Sequence, residues 1–176
     1  MIINPASLAV SIVDNSYQSI NNPIVELNSV LFSNRCQSSH GVFGTNKQEI
    51  YIKNPSAALQ GWNVTLSAEN PSAMWESGEY KMDFNDPTDD GCGDGDDKDA
   101  RAGSMIIDPS RAHISVGQCR SCISNDIILG NLAQFQENVA DTVTLVSGTP
   151  NSDDLGDWIL TGIEISQTIP ADQPAS

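Results

Sequence analysis

Basic residues are scarce in this sequence: eight Lys and Arg stand against 23 Asp and Glu, for a formal charge of −15. A chain of that sign repels nucleic acid and anionic lipid headgroups and attracts cations. Long hydrophobic runs are also missing, and no apolar stretch approaches the roughly 18 residues of a membrane-spanning helix. The start, MIINPASLAV, has neither the basic n-region nor the long apolar stretch of a secretory leader, and a leader removed ahead of this numbering is one reading compatible with a secreted chain. Only two histidines occur, His40 and His113, each alone in a polar stretch. No G-x-S-x-G, H-E-x-x-H, phosphate-loop or dinucleotide glycine pattern is present. Glycoside hydrolysis would need two acids facing each other across a cleft, whereas the acids here crowd into one stretch. No catalytic residue is expected, and the chain is read as a non-enzyme.

What the sequence does hold is a period of two. Leu8, Val10 and Ile12 alternate with Ala9, Ser11 and Val13; Val25, Leu27, Ser29 and Leu31 with Glu26, Asn28 and Val30; Ile50 and Ile52 with Glu49, Tyr51 and Lys53. Trp62, Val64, Leu66 and Ala68 alternate with Asn63, Thr65 and Ser67, and Val143 and Leu145 with Thr142 and Thr144. Side chains two apart share one face of a strand, so each run buries one face and wets the other. Six Asx-Pro pairs punctuate the chain: Asn4-Pro5, Asn22-Pro23, Asn54-Pro55, Asn70-Pro71, Asp86-Pro87 and Asp108-Pro109. Proline bars its predecessor from the helical region, and Asx bonds its own backbone in turns. Strand and turn at this spacing predict an all-β fold, an antiparallel β-sandwich of jelly-roll or Ig-like type. The length of 176 residues, with 39% apolar content, fits a single domain over 1–176. The stretch 158–165 reads as a late strand whose apolar face switches at Gly162, as a bulge would make it do. At most one short helix is expected. It would lie over 131–140, where Leu132, Phe135 and Val139 fall at helical spacing; a loop strapped onto the core is the alternative.

Four cysteines, Cys36, Cys92, Cys119 and Cys122, in a Lys-poor chain imply two disulfides and an oxidising, extracellular compartment. Three pairings are open, and a bond from Cys36 or Cys92 to the 119/122 pair would close a long loop. A four-thiolate zinc site usually carries two C-x-x-C motifs, and one is present. A thioredoxin-type role for Cys119-Arg120-Ser121-Cys122 is disfavoured because no βαβ pattern surrounds it.

The stretch 83–99, DFNDPTDDGCGDGDDKD, holds eight aspartates with Lys98 as the single base. Calcium takes six to eight oxygens from carboxylates and carbonyls, and a glycine-rich loop studded with Asp can wrap them round one ion. The order departs from the EF-hand, which needs a closing glutamate. Without a cation, so many carboxylates repel one another. The expected calcium ligands are Asp86, Asp90, Asp94, Asp96, Asp97 and Asp99, with the amide oxygen of Asn85; a solvated acidic face is the competing reading. Among the tryptophans, Trp62 and Trp158 head alternating strands and are expected in the core or at its rim. Trp75, in SAMWESGEY, is the candidate exposed aromatic for binding a glycan.

Two stretches, GWNVTLSA at 61–68 and WILTGIEISQTIPADQPAS at 158–176, resemble secreted bacterial surface β-sandwiches, namely WxL cell-wall domains and camelysin-like biofilm-fibre subunits. Trp62-Asn63-Val64 and Trp158-Ile159-Leu160 match a Trp-x-aliphatic pattern, and only the second carries the Leu. In such proteins a phrase like SQTIPADQPAS precedes a last strand, and this chain ends at Ser176. A sandwich short of one strand has an open groove that a partner's strand can fill. The run Leu8–Val13 is the candidate donor; the other explanation is a C-terminus that continues further. The resemblance implies a structural subunit of an extracellular filament, pilus or surface layer. Its expected partners are other copies of itself, joined through sheet edges or an inserted strand. The alternative is a calcium-dependent adhesin or glycan-binding module at the cell surface.

Overall fold

A computed structural model of the protein describes residues 8–55, 61–68, 75–77, 80–86, 91–93, 101–150 and 155–171. These form strands β1 (Ala9–Val13), β2 (Gln37–Phe43), β3 (Glu49–Asn54), β4 (Trp62–Ser67), β5 (Trp75–Ser77), β6 (Tyr80–Met82) and β7 (Ser104–Asp108). After one 3₁₀ turn at Pro109–Arg111 come β8 (His113–Val116), β9 (Ile127–Leu129), β10 (Ala133–Gln134), β11 (Thr142–Gly148), β12 (Gly156–Thr161) and β13 (Ile163–Ile169). The fold is all-β and antiparallel, as the period of two predicts, and no α-helix occurs among the described residues.

Two four-stranded sheets carry the architecture, in orders β1-β3-β12-β8 and β10-β7-β13-β2. They share a corner. Three neighbouring pathways cross from one sheet to the other there: β2 to β3, β13 to β12, and β7 to β8. The central crossing is the single residue Gly162, at φ +79°, whose N–H donates to the Gly44 carbonyl at 2.8 Å. Gly44, at φ +77°, makes the neighbouring crossing, where a Cβ would lie 3.0 Å from the Leu160 carbonyl oxygen. The third crossing is the 3₁₀ turn, where Asp108 Oδ1 accepts from the Ser110 backbone N–H at 3.1 Å. Orthogonal sheet corners are made by such bends. Gly162 is therefore a change of sheet and not a bulge within one strand. The face switch read in the sequence is real, and its cause is that β12 and β13 belong to different layers.

A third sheet, β4-β11-β9, packs across the bent pair and closes the sandwich. Cross-strand rows fill the space between: Ile52 opposite Trp158, Ile50 opposite Leu160, Ile165 opposite Ile107. All six are buried, with Val143, Leu145 and Val146 facing them from β11. Trp62 lies against Trp158 with ring centroids 5.4 Å apart. Both tryptophans thus serve the core and its rim, as their positions imply.

Three expectations change. The run read as a donor strand, Leu8–Val13, supplies β1, which pairs with β3 inside its own sheet from Ala9 opposite Lys53 to Val13 opposite Glu49. In this chain the run is therefore a paired edge strand and not a free arm. The alternating run 25–31 forms no regular strand. It lies beside β2, joined through the Leu27–Gly41 bridge and the Asn28 N–H to His40 carbonyl bond at 2.8 Å. The Ser39 hydroxyl takes the Asn28 carbonyl, so a side chain replaces a ladder bond. The stretch 131–140 is the strapped loop: β10 pairs with β7, Phe135 is buried, and a tight turn at Gln136–Ala140 places Asn138 at φ +57°.

Removing a buried branched side chain leaves a cavity the rigid sheets cannot close. Ile52→Ala should cost about 2–5 kcal/mol in urea unfolding. Val10→Ala, on the exposed side of the edge strand β1, should cost less than about 0.5 kcal/mol.

Candidate functional site

The first described part of the acidic stretch does not stand in solvent. Asp83, Asn85 and Asp86 are buried. Residues 83–86 run beside the start of β7, with Asp83 N–H to the Ala102 carbonyl at 3.2 Å, Asp86 N–H to the Gly103 carbonyl at 3.2 Å and Met105 N–H to the Phe84 carbonyl at 2.8 Å. Asp83 Oδ1 accepts from the backbone N–H groups of Phe84 at 2.6 Å and Asn85 at 3.0 Å, so its own turn consumes it. Of the expected calcium ligands, Asn85 and Asp86 are thus held against β7, while Asp90, Asp94, Asp96, Asp97 and Asp99 lie outside the described residues. Among the described residues no three metal-capable side chains converge. Further along, Cys92 is bonded to Cys36, with Cα atoms 5.5 Å apart. The acidic stretch is therefore fastened at 83–86 by a backbone ladder and at 92 by a covalent bond.

Between the bent pair and β4 lies a largely apolar cavity of about 590 Å³, lined among others by Leu27, Phe43, Leu66, Phe84 and Ile165. Its polar anchor is Gln167, which is fully buried. Gln167 Oε1 accepts from Trp75 Nε1 at 2.9 Å, and Nε2 donates to the carbonyls of Thr168 at 2.9 Å and Asp83 at 3.2 Å. One amide thereby ties β13 to the β5–β6 hairpin and to the acidic stretch. Trp75 is exposed, as its irregular sequence context implies, with its ring edge-on to Phe84 at 6.1 Å.

At the opposite side of the sandwich, β8 leads to β9 through a turn closed by the second disulfide, Cys119–Cys122. Of the three open pairings, the one formed is Cys36–Cys92 with Cys119–Cys122. The chain-entropy account explains the different worth of the two bonds. A loop of separation 56 stabilises by about 4 kcal/mol and one of separation 3 by about 2 kcal/mol. With both bonds formed among four cysteines, none remains to hold zinc. Beneath the turn Asp157 is buried, and its Oδ1 accepts from Cys119 N–H at 3.0 Å while Oδ2 accepts from the Tyr51 hydroxyl at 2.9 Å. Cys119, Cys122, Ser121, Lys53, Asn54 and Asp157 line an adjoining cavity of about 450 Å³.

The periodicity marked which positions point inward but not what a polar residue does there. Gln167 shares the inward register of Ile163 and Ile165, and a polar side chain in that row is the signal that was available. Asp157 and Tyr51 carry no comparable signal, because their meeting depends on the pairing of β12 with β3.

Burial first, then the hydrogen bond to Asp157 and its negative charge, push the Tyr51 hydroxyl from its ordinary 10.0 up to about 12. The folded protein thus holds this proton more tightly than the unfolded chain. The stabilisation is complete below pH 10 and is lost as pH rises through about 12. Ultraviolet titration of the phenolate should show one late-ionising tyrosine, and Asp157→Asn should move its midpoint back toward 10. An unchanged midpoint would assign the shift to burial alone. No protein-family model, curated protein or solved structure matches this chain.

Proposed function

We propose that the protein is a structural subunit of an extracellular surface assembly, a filament, pilus or surface layer, in which copies join through sheet edges. The observation that carries this reading is the segment 24–32. It is strand-like in sequence, yet it meets β2 through one isolated bridge and a few separate hydrogen bonds in place of a regular ladder. Val25, Leu27 and Val30 line the apolar cavity, while three further apolar side chains face solvent: Ile24 is 61% exposed, Phe32 68% and Leu31 86%. An irregular edge with large exposed apolar side chains is a template for an added strand. A second copy of the chain is the occupant this reading assigns, since the edge offers both backbone groups and apolar anchors to a like strand.

Two disulfides support an oxidising, extracellular setting. No helix among the described residues is long and apolar enough to cross a membrane. The role assigned to the acidic stretch is calcium binding, which would neutralise its carboxylates. The fastening of that stretch at 83–86 and at Cys92 supports it, because a ligand loop with fixed ends loses less entropy on closing round an ion. The reading assigns no catalytic residue. A calcium-dependent adhesin is the second reading, favoured by Trp75, an exposed ring oriented by Gln167. Glycan-array binding that is lost with chelator would select it.

Sedimentation velocity in calcium buffer should show concentration-dependent assembly, and Leu31→Glu with Phe32→Glu should return the protein to monomer without lowering its melting temperature. A wild-type protein that stays monomeric at every concentration would refute the edge-joining role. Calcium at roughly a hundred times its dissociation constant should add about 2.7 kcal/mol, or roughly 5–10 °C in Tm for a chain of this size. Chelator should remove the gain.

A further inference from the structure

The geometry points to Cys119–Cys122 as an exchangeable disulfide, a site that passes two electrons to or from a dithiol while the fold stays intact. As a staple the bond adds far less than Cys36–Cys92, because it closes so short a loop. The turn it spans is already closed by the Cys122 N–H to Cys119 carbonyl bond at 3.3 Å. On one side the Asp157 carboxylate holds Cys119 N–H at 3.0 Å. On the other, the Ile123 carbonyl accepts from the buried Trp158 through Nε1 at 2.9 Å. Farther along, the Asp126 carbonyl accepts from Thr149 N–H at 3.1 Å, on the chain just beyond β11. None of these bonds involves sulfur, so opening the disulfide leaves the segment in place.

The reduced form also has partners waiting. Cys122 Sγ lies 3.6 Å from the Leu155 carbonyl oxygen, so a thiol formed there donates to it with no backbone movement. Cys119 Sγ lies 3.7 Å from the Ser121 hydroxyl, which donates to a thiolate formed there. Both sulfurs border the cavity of about 450 Å³ that Lys53 also lines, and an incoming thiolate approaches through it. Cys36–Cys92 differs in what it encloses: its ends are 56 residues apart, and it fastens the acidic stretch to the segment ahead of β2.

The step balances with a dithiol as the other reactant. Its thiolate attacks Cys122 Sγ, a mixed disulfide forms, and Cys119 leaves as a thiolate beside the Ser121 hydroxyl. The second thiol of the reagent then attacks its own mixed-disulfide sulfur and releases Cys122. The reagent ends as a cyclic disulfide, two electrons have reduced the protein bond, and the reagent's two protons end on Cys119 and Cys122. No βαβ unit is needed for this chemistry; a turn tethered from both sides takes its place.

The test is to equilibrate the full chain in graded ratios of reduced to oxidised dithiothreitol, quench by alkylation and map the adducts by mass spectrometry. Two adducts are expected, on Cys119 and Cys122, at ratios that leave Cys36–Cys92 closed and the far-ultraviolet circular dichroism unchanged. Four adducts appearing together, or adducts that form only in denaturant, would overturn the inference. Ser121→Ala should slow the reaction several-fold at unchanged Tm, and an unaltered rate would overturn the assignment of Cys119 as the leaving sulfur. The double variant Cys119→Ser, Cys122→Ser should fold and lose both adducts; failure to fold would show the bond to be a staple and end the proposal.

Discussion

The corner at Gly44 and Gly162 governs this molecule. Two four-stranded sheets meet there, and β13 leaves β12 through one residue. The backbone must reach φ +79° at Gly162 and +77° at Gly44, a left-handed region that side chains with a Cβ resist. The bond between these two residues sets the two crossings side by side. Every inward row depends on it, because the register of β12 on β3 and of β13 on β2 starts from that point. The buried residues Trp158 and Leu160 on one layer, and Ile163 and Ile165 on the other, come from a single stretch of chain folded over the corner.

Two buried polar side chains of the sandwich, Gln167 and Asp157, make several bonds each, whereas the buried Ser104 hydroxyl makes none. Gln167 joins three elements through one amide, and Asp157 joins two through one carboxylate. A buried polar group left unpaired costs far more than a paired one gains. Each therefore specifies a geometry as well as adding stability. Gln167 sets where Trp75 and residue 83 stand relative to β13. Asp157 sets the height of the Cys119 turn above β12, and its charge keeps Tyr51 protonated as the donor. The two ends of the sandwich are thus organised by different chemistry. The amide end borders an apolar cavity and the acidic stretch; the carboxylate end borders a cavity of mixed lining and a sulfur pair.

The two disulfides divide along the same line. Cys36–Cys92 reaches across the fold and shrinks the unfolded ensemble substantially, whereas Cys119–Cys122 closes a turn that the backbone closes anyway. Equal covalent bonds carry unequal thermodynamic weight because loop closure scales with the length enclosed.

Local pattern decided a good deal of this protein. Alternation at 49–53, 62–67 and 142–145 placed Ile50, Ile52, Val64, Val143 and Leu145 inward, because strand geometry alone sends every second side chain to the same face. Asn54 and Asp108 are the last residues of β3 and β7, each followed at once by its proline, since the proline restriction acts within one peptide unit. Pairing needed the tertiary structure. The alternating run 25–31 failed to become a strand because alternation says nothing about whether a neighbour offers ladder bonds, and Ser39 offers a hydroxyl instead. The partner of Cys36, the bonds of Gln167 to Trp75 and Asp83 and the meeting of Tyr51 with Asp157 join residues 56 to 106 positions apart. Contacts of that kind are set when sheets stack, and no spacing along the chain encodes them.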